Sequence, residues 1–148
     1  MATIKSDDDG LEQWYLDTRY SNHMTGHKGW FVSIDEKVKR KIRFADNSTM
    51  TAKGVNNVLI QRRDDKQSFI CDALYVPNMK NNMLSLRLLL EKGYSMKIEH
   101  GEMRMFNNSR RLILKAPLSK NRTFKIDIQI SENKCLVAEI RNEDWSWH

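Results

Sequence analysis

Apolar and polar residues alternate along much of the chain with the period of two that marks a strand with one buried face. The stretches FVSI (31–34), VKRKIRF (38–44), STMTAKG (48–54), VLIQ (58–61) and SFICDALYV (68–76) each interleave β-branched or aromatic residues with polar ones. In the second of these, Val38, Arg40, Ile42 and Phe44 share a face. Ala45, Asp46, Asn47 and Ser48 are turn chemistry, so 38–54 is expected to be a hairpin. Pro77 and Asn78 close this series of strands.

A different period follows. NNMLSLRLLLEKG (81–93) opens with two asparagines able to cap a helix and closes with a lysine and a glycine, the usual stop. Met83, Leu86 and Leu90 fall at helical spacing, as do Leu84 and Leu88, which predicts a helix of more than two turns over about 82–92. Strands resume at YSMKIEH (94–100), EMRMF (102–106), RLILKA (111–116), TFKIDIQI (123–130) and KCLVAEI (134–140), with Gly101 and Asn107-Asn108-Ser109 as turns. The expected class is mainly β, a many-stranded barrel or sandwich carrying one short helix, after a polar leader at 1–10.

Composition narrows this picture. The chain has 148 residues, 40% hydrophobic and 30% charged, which suits a globular domain with a core of its own. Against 19 Asp and Glu stand 25 Lys and Arg, giving +6 and a pI near 9.4, mildly basic but not the profile of a dedicated nucleic-acid binder. Cys71 and Cys135 stand apart in apolar surroundings; reduced thiols in an intracellular setting are the simpler reading, and one disulfide is the alternative. The leader MATIKSDDDG lacks the apolar centre of a signal peptide, and the longest leucine run is interrupted by Arg87 and too short for a bilayer. A soluble protein with no membrane partner is expected.

Three constellations of residues could carry chemistry. His23 and His27 lie four apart, but in a turn-like segment (SNHMTGHKG) and without the paired cysteines that zinc sites favour, so no metal and no cofactor is expected. Basic residues cluster at KVKRK (37–41), Arg62-Arg63 and Arg110-Arg111; interleaved acids make a solvated face the plainer reading, with nucleic-acid contact as the rival. In WYLDTRYSNHM (14–24) an apolar run ends on Asp17, and a carboxylate there is costly unless something stabilises or uses it.

WYLDT and SNHM around Asp17, followed by LYVPNMKNNMLSLRLLLEKGY, resemble the protease region of copia-type LTR retrotransposon Pol polyproteins. That family carries two apolar residues, Asp, Thr or Ser, Gly, a small residue and Ser, then Asp or Asn and His-Met. A strand Leu-Tyr-Val-Pro and a helix start Asn-Leu-Leu-Ser come later, where this chain has Leu74-Tyr75-Val76-Pro77 and Asn82-Met83-Leu84-Ser85. The resemblance spans roughly 13–116. EDWSWH (143–148) is similar to the start of the family's pre-integrase segment, and His148 would be the first zinc ligand of a set whose other members this sequence lacks.

The resemblance implies a retropepsin-like β-barrel at 11–98, additional strands at 99–141 and a truncated pre-integrase start at 142–148. It implies a homodimeric aspartic endopeptidase acting on polyprotein peptides in the cytoplasm, within a virus-like particle in an active element. Asp17 would be catalytic, Thr18 would tie the two active-site loops together, and Ser21 would bond locally. Ala45, Asp46, Asn47 and Ser48 would form the tip of a flap closing over substrate. Two such carboxylates flank one water and share a proton.

The motif is broken where it matters. Arg19 replaces the family's glycine and Tyr20 its small residue, each within reach of a single base change. Side chains there would crowd a dimer axis, and a left-handed conformation at position 19 would add about 1–2 kcal/mol of strain. Guanidiniums beside the carboxylates would favour ionising both. An inactive copy is the expectation. The alternative is a non-catalytic β-barrel binding nucleic acid or a Gag-like partner, with weak nucleic-acid contact through its basic faces.

Overall fold

A computed structural model of the chain describes residues 11–61, 66–118 and 123–131. In chain order the strands are β1 (Leu11–Asp17), β2 (Met24–Thr25), β3 (Arg40–Arg43), β4 (Thr49–Ala52), β5 (Val55–Gln61), β6 (Gln67–Tyr75) and β7 (Asn82–Ser85). Helix α1 (Leu86–Glu91) follows, then β8 (Ser95–Glu99), β9 (Glu102–Phe106), β10 (Leu112–Pro117) and β11 (Thr123–Ile130). Six strands close a barrel in the order β1-β11-β5-β6-β2-β7, shut by the parallel pairing of β7 with β1. Strands β10-β9-β8 form a separate antiparallel sheet, and β3 with β4 forms a two-stranded hairpin.

The mainly β architecture with one helix is the one the periodicities indicate, and the hairpin falls where the turn residues place it. Its connection joins Asn47 N–H to the Phe44 carbonyl and Phe44 N–H to the Ser48 carbonyl, both at 2.9 Å, with Asn47 at φ 69°. Asn tolerates that left-handed conformation better than most residues. Asp46 fixes the turn by accepting from the Ser48 N–H and hydroxyl.

The helix is shorter than its leucine spacing implies. Asn82, Met83 and Leu84 belong to β7, all buried, and pair with Trp14, Tyr15 and Leu16 of β1. A strand buried on both faces is apolar throughout, so its residues satisfy helical spacing as well. Asn82 therefore caps nothing. Its side chain accepts from the Thr25 hydroxyl at 2.7 Å and donates to the Gln13 carbonyl at 3.0 Å, stitching three strands together. The cap is Ser85, whose Oγ accepts from the Leu88 N–H at 3.0 Å. The stop is as read: Gly93 at φ 99° lets Tyr94 N–H reach the Leu89 carbonyl and Gly93 N–H the Leu90 carbonyl, both at 3.1 Å.

Two further expectations shift. The run 31–34 is no strand; Phe31 and Asp35 form isolated bridges to Val58 and Val55 after a 3-10 turn at Lys28–Trp30, in place of a continuous ladder. A barrel confined to 11–98 also gives way, because β11 enters it between β1 and β5. Its alternation explains why: Phe124, Ile126, Ile128 and Ile130 all turn inward to the core built around Trp14, Leu16, Val58 and Ile70. The leader at 1–10, the strand expected at 134–140, Cys135, Arg62-Arg63 and the 142–148 segment lie outside the described residues.

Ser85 joins β7, α1 and the loop after β1, so its hydroxyl is the sharpest local test of this arrangement. Ser85→Ala removes the helix cap and a bond to the Tyr20 carbonyl, and should destabilise the fold by about 1–2 kcal/mol in urea denaturation. A loss below about 0.3 kcal/mol would contradict the arrangement.

Candidate functional site

Asp17 ends β1 with its side chain 0% exposed, the only buried carboxylate among the described residues. Antiparallel pairing sets Thr123 of β11 on one side of it, and parallel pairing sets Ser85 of β7 on the other. The chain then turns back on itself. Arg19 N–H donates to Oδ1 at 2.8 Å, and its guanidinium grips both oxygens, Nε to Oδ1 at 3.0 Å and Nη2 to Oδ2 at 2.7 Å. The Thr123 hydroxyl completes the set, donating to Oδ2 at 3.0 Å.

Each oxygen thus accepts two short hydrogen bonds, which is the whole acceptor capacity of a carboxylate. Burial alone would raise the Asp17 pKa. The bonds from the Arg19 side chain and backbone, then Thr123, outweigh it and hold the carboxyl below its ordinary value of 3.8. Arg19, with its side chain 52% exposed, covers the acid like a lid, and the acid in turn raises the arginine's own pKa. Arg19 is not among the residues with positive φ, so the backbone strain allowed for at this position does not arise.

Tyr20 has a structural function that its place in the motif does not reveal. Its carbonyl accepts from the Ser85 hydroxyl at 2.6 Å, and its ring meets Phe44 edge-on with centroids 5.8 Å apart. Ile42, Phe44 and Met50 of the hairpin pack with Tyr20 against a small core of Met24, Ala52, Leu74, Val76 and Met83. The hairpin therefore leans on the loop that holds Asp17. Its tip, Ala45 to Ser48, is exposed. Thr18 and Ser21 are exposed too, and neither donates to the Asp17 carboxylate; the Ser21 hydroxyl bonds only locally, at 3.4 Å to Asn22.

The two histidines go separate ways. His23 is buried, its Nδ1 accepting from Ser85 N–H at 3.0 Å, and burial together with the Lys92 charge pushes its pKa down to about 3. It is a neutral core residue. His27 is exposed and stacks on Trp30 at 3.8 Å. The Cys71 thiol is buried, with its pKa pushed up to about 12 by burial and the neighbouring Asp72. Among the described residues no group of three or more potential metal ligands occurs.

Asp17 and Arg19 open onto a cleft of about 510 Å³ walled by Tyr15, Tyr20, Met83, Leu118 and Lys125. Thr123, Ser85 and the Tyr20–Phe44 contact escaped sequence reasoning. The first two lie 106 and 68 residues beyond Asp17, and only strand register reveals them as its neighbours.

A six-stranded closed barrel with a buried acid at a strand end, overlain by a β-hairpin, defines the class of this domain. Residues 14–94, more than half of the chain, match the family described as Pol polyprotein, beta-barrel domain, and the chain belongs to that family. No curated protein and no solved structure matches it.

The ion pair sets a pH dependence whose sign can be worked out. With its pKa lowered, Asp17 contributes stability that is fully present above 3.8 and lost as the pH falls through the lowered value. In Arg19→Ala, burial is the largest remaining influence, so the carboxyl rises and the charged form becomes a liability at neutral pH. The variant should lose about 2 kcal/mol at pH 7, less than for a fully buried pair because Arg19 is half exposed, and much of the deficit should vanish by about pH 3. Urea denaturation at both values checks this. An equal deficit at both would show that Arg19 acts by packing alone.

Proposed function

We propose that this chain is the retropepsin-like aspartic endopeptidase barrel of a copia-type LTR retrotransposon Pol polyprotein, silenced in this copy by Arg19. The observation that carries the reading is the buried Asp17 at the end of β1 with both oxygens filled by Arg19 and Thr123. Family membership supports the polyprotein setting, and the motif around Asp17 supports the protease ancestry.

An aspartic endopeptidase of this kind brings two carboxylates, one from each chain of a homodimer, to a single water. One acts as general base on the water while the other, protonated, donates to the peptide carbonyl. That chemistry needs a carboxyl that can hold a proton and an oxygen with room for the water. Arg19 removes both. It lowers the pKa of Asp17 and takes the acceptor positions that the water and the partner carboxyl require. Tyr20, braced against Phe44, ties the hairpin to the same loop, so the element that would open as a flap is held down.

In an active relative the barrel would work as a homodimer on peptide segments of its own polyprotein, in the cytoplasm and within a virus-like particle. Neither a cofactor nor a metal enters that mechanism.

Restoring the motif tests the proposal. Arg19→Gly with Tyr20→Ala should restore dimerisation and pepstatin-sensitive peptide cleavage at about pH 4–6, where a carboxylate pair shares a proton. Arg19→Gly alone should give less, because Tyr20 still holds the hairpin. The unmodified chain should cleave no more than an Asp17→Asn blank. Asp17-dependent cleavage by the unmodified chain would overturn the silencing by Arg19, and a double variant that dimerises yet stays inert would overturn the assignment of the lesion to these two residues.

A further inference from the structure

The hairpin has two unlike faces. Inward, Ile42, Phe44, Met50 and Ala52 pack against the barrel, and the backbone of Lys53 and Gly54 is bonded to Tyr75 at 2.8 and 2.9 Å. Outward, the alternation presents Lys39, Lys41 and Arg43 along one strand and Thr49, Thr51 and Lys53 along the other, all exposed. The register sets Lys41 opposite Thr51 and Arg43 opposite Thr49; the ladder ends at Arg40 and Ala52, with Lys39 and Lys53 just beyond it. Four like charges gathered on one small face repel one another, so folding alone disfavours this arrangement.

These cations are also uncommitted. Among the described residues, none of Lys39, Lys41, Arg43 or Lys53 has an acidic partner within ion-pair distance. The nearby acids are engaged elsewhere: Glu36 with Lys28 at 3.5 Å, Asp35 with the Lys37 N–H, and Asp46 with Ser48 in the turn. Successive outward side chains on a strand stand about 6.8 Å apart, a spacing suited to successive phosphates of a nucleic-acid backbone.

We infer that the outer face of the 38–54 hairpin is a sequence-independent docking surface for duplex DNA, whether or not Asp17 is catalytic. Three observations favour this ligand over other polyanions. No aromatic residue points outward, since Phe44 is turned onto Tyr20, so the surface lacks the stacking platform that single strands use. A two-stranded ribbon fits the B-form major groove, about 12 Å wide, whereas the A-form groove of duplex RNA is too narrow. The Thr49 and Thr51 hydroxyls stand between the cations, ready to donate to phosphate oxygens.

Fluorescence anisotropy with a labelled DNA duplex, titrated with the full chain over a range of salt, tests the inference. Binding should be weak, with Kd about 1–100 μM, and four phosphate contacts should give a slope of about −3 to −4 in log affinity against log salt. The quadruple variant Lys39→Ser, Lys41→Ser, Arg43→Ser and Lys53→Ser should keep its thermal melt, lose at least tenfold in affinity and flatten the slope. Arg110→Ser with Arg111→Ser, on a turn of the other sheet, should leave binding unchanged. Equal or tighter binding to the corresponding single strand, to duplex RNA or to anionic vesicles would overturn the choice of ligand. Binding untouched by the quadruple variant, equally lost in the Arg110-Arg111 control, or absent at low salt would overturn the site.

Discussion

A carboxylate cannot be left bare inside a barrel, and at the end of β1 this requirement organises the surrounding chain. Asp17 lies between Thr123 and Ser85 in the sheet, and only one of those neighbours donates to it. Every other short bond to it comes from Arg19, two residues on, whose N–H and guanidinium bend back over the acid. That bend sets the path of the loop. It brings the Tyr20 carbonyl onto the Ser85 hydroxyl, and His23 Nδ1 onto the Ser85 N–H. Ser85 in turn starts α1. One ion pair and one serine thus link β1, β7, the helix and the loop between β1 and β2.

The same pair decides what the site can do. A buried acid awaiting a second carboxylate needs a raised pKa and free lone pairs; Arg19 gives it a lowered pKa and none. Arg19 is also stabilising, because its half-exposed guanidinium offsets the desolvation cost of burying the Asp17 carboxylate. Tyr20 fastens the hairpin through Phe44, leaving its basic outer face and its tip exposed.

What could be read in advance followed the strength of the local signal. Alternation in TFKIDIQI and in the hairpin strands is independent of context, and both formed where the pattern put them. Asp17 stands out because a carboxylate ending an apolar run must be stabilised or used, and the family resemblance, more than the Asp-Thr pair itself, marks it as a site. The reading failed where two periods coincide. Met83 and Leu84 fit a helix and a doubly buried strand equally well, and only the parallel partner β1 decides between them. Thr123, Ser85 and Phe44 were invisible for another reason, since their importance comes from register and packing between segments far apart in sequence.

The protonation state of Asp17 decides between these alternatives for the site. Carbon-13 NMR of the Asp17 carboxyl, assigned with Asp17→Asn and followed through a pH titration of the folded chain, measures it directly. The midpoint should lie below 3.8 in the unmodified chain and move upward in Arg19→Gly, where burial acts with less opposition. A midpoint above 3.8 in the unmodified chain, or one that Arg19→Gly leaves in place, would contradict the claim that Arg19 holds this acid ionised.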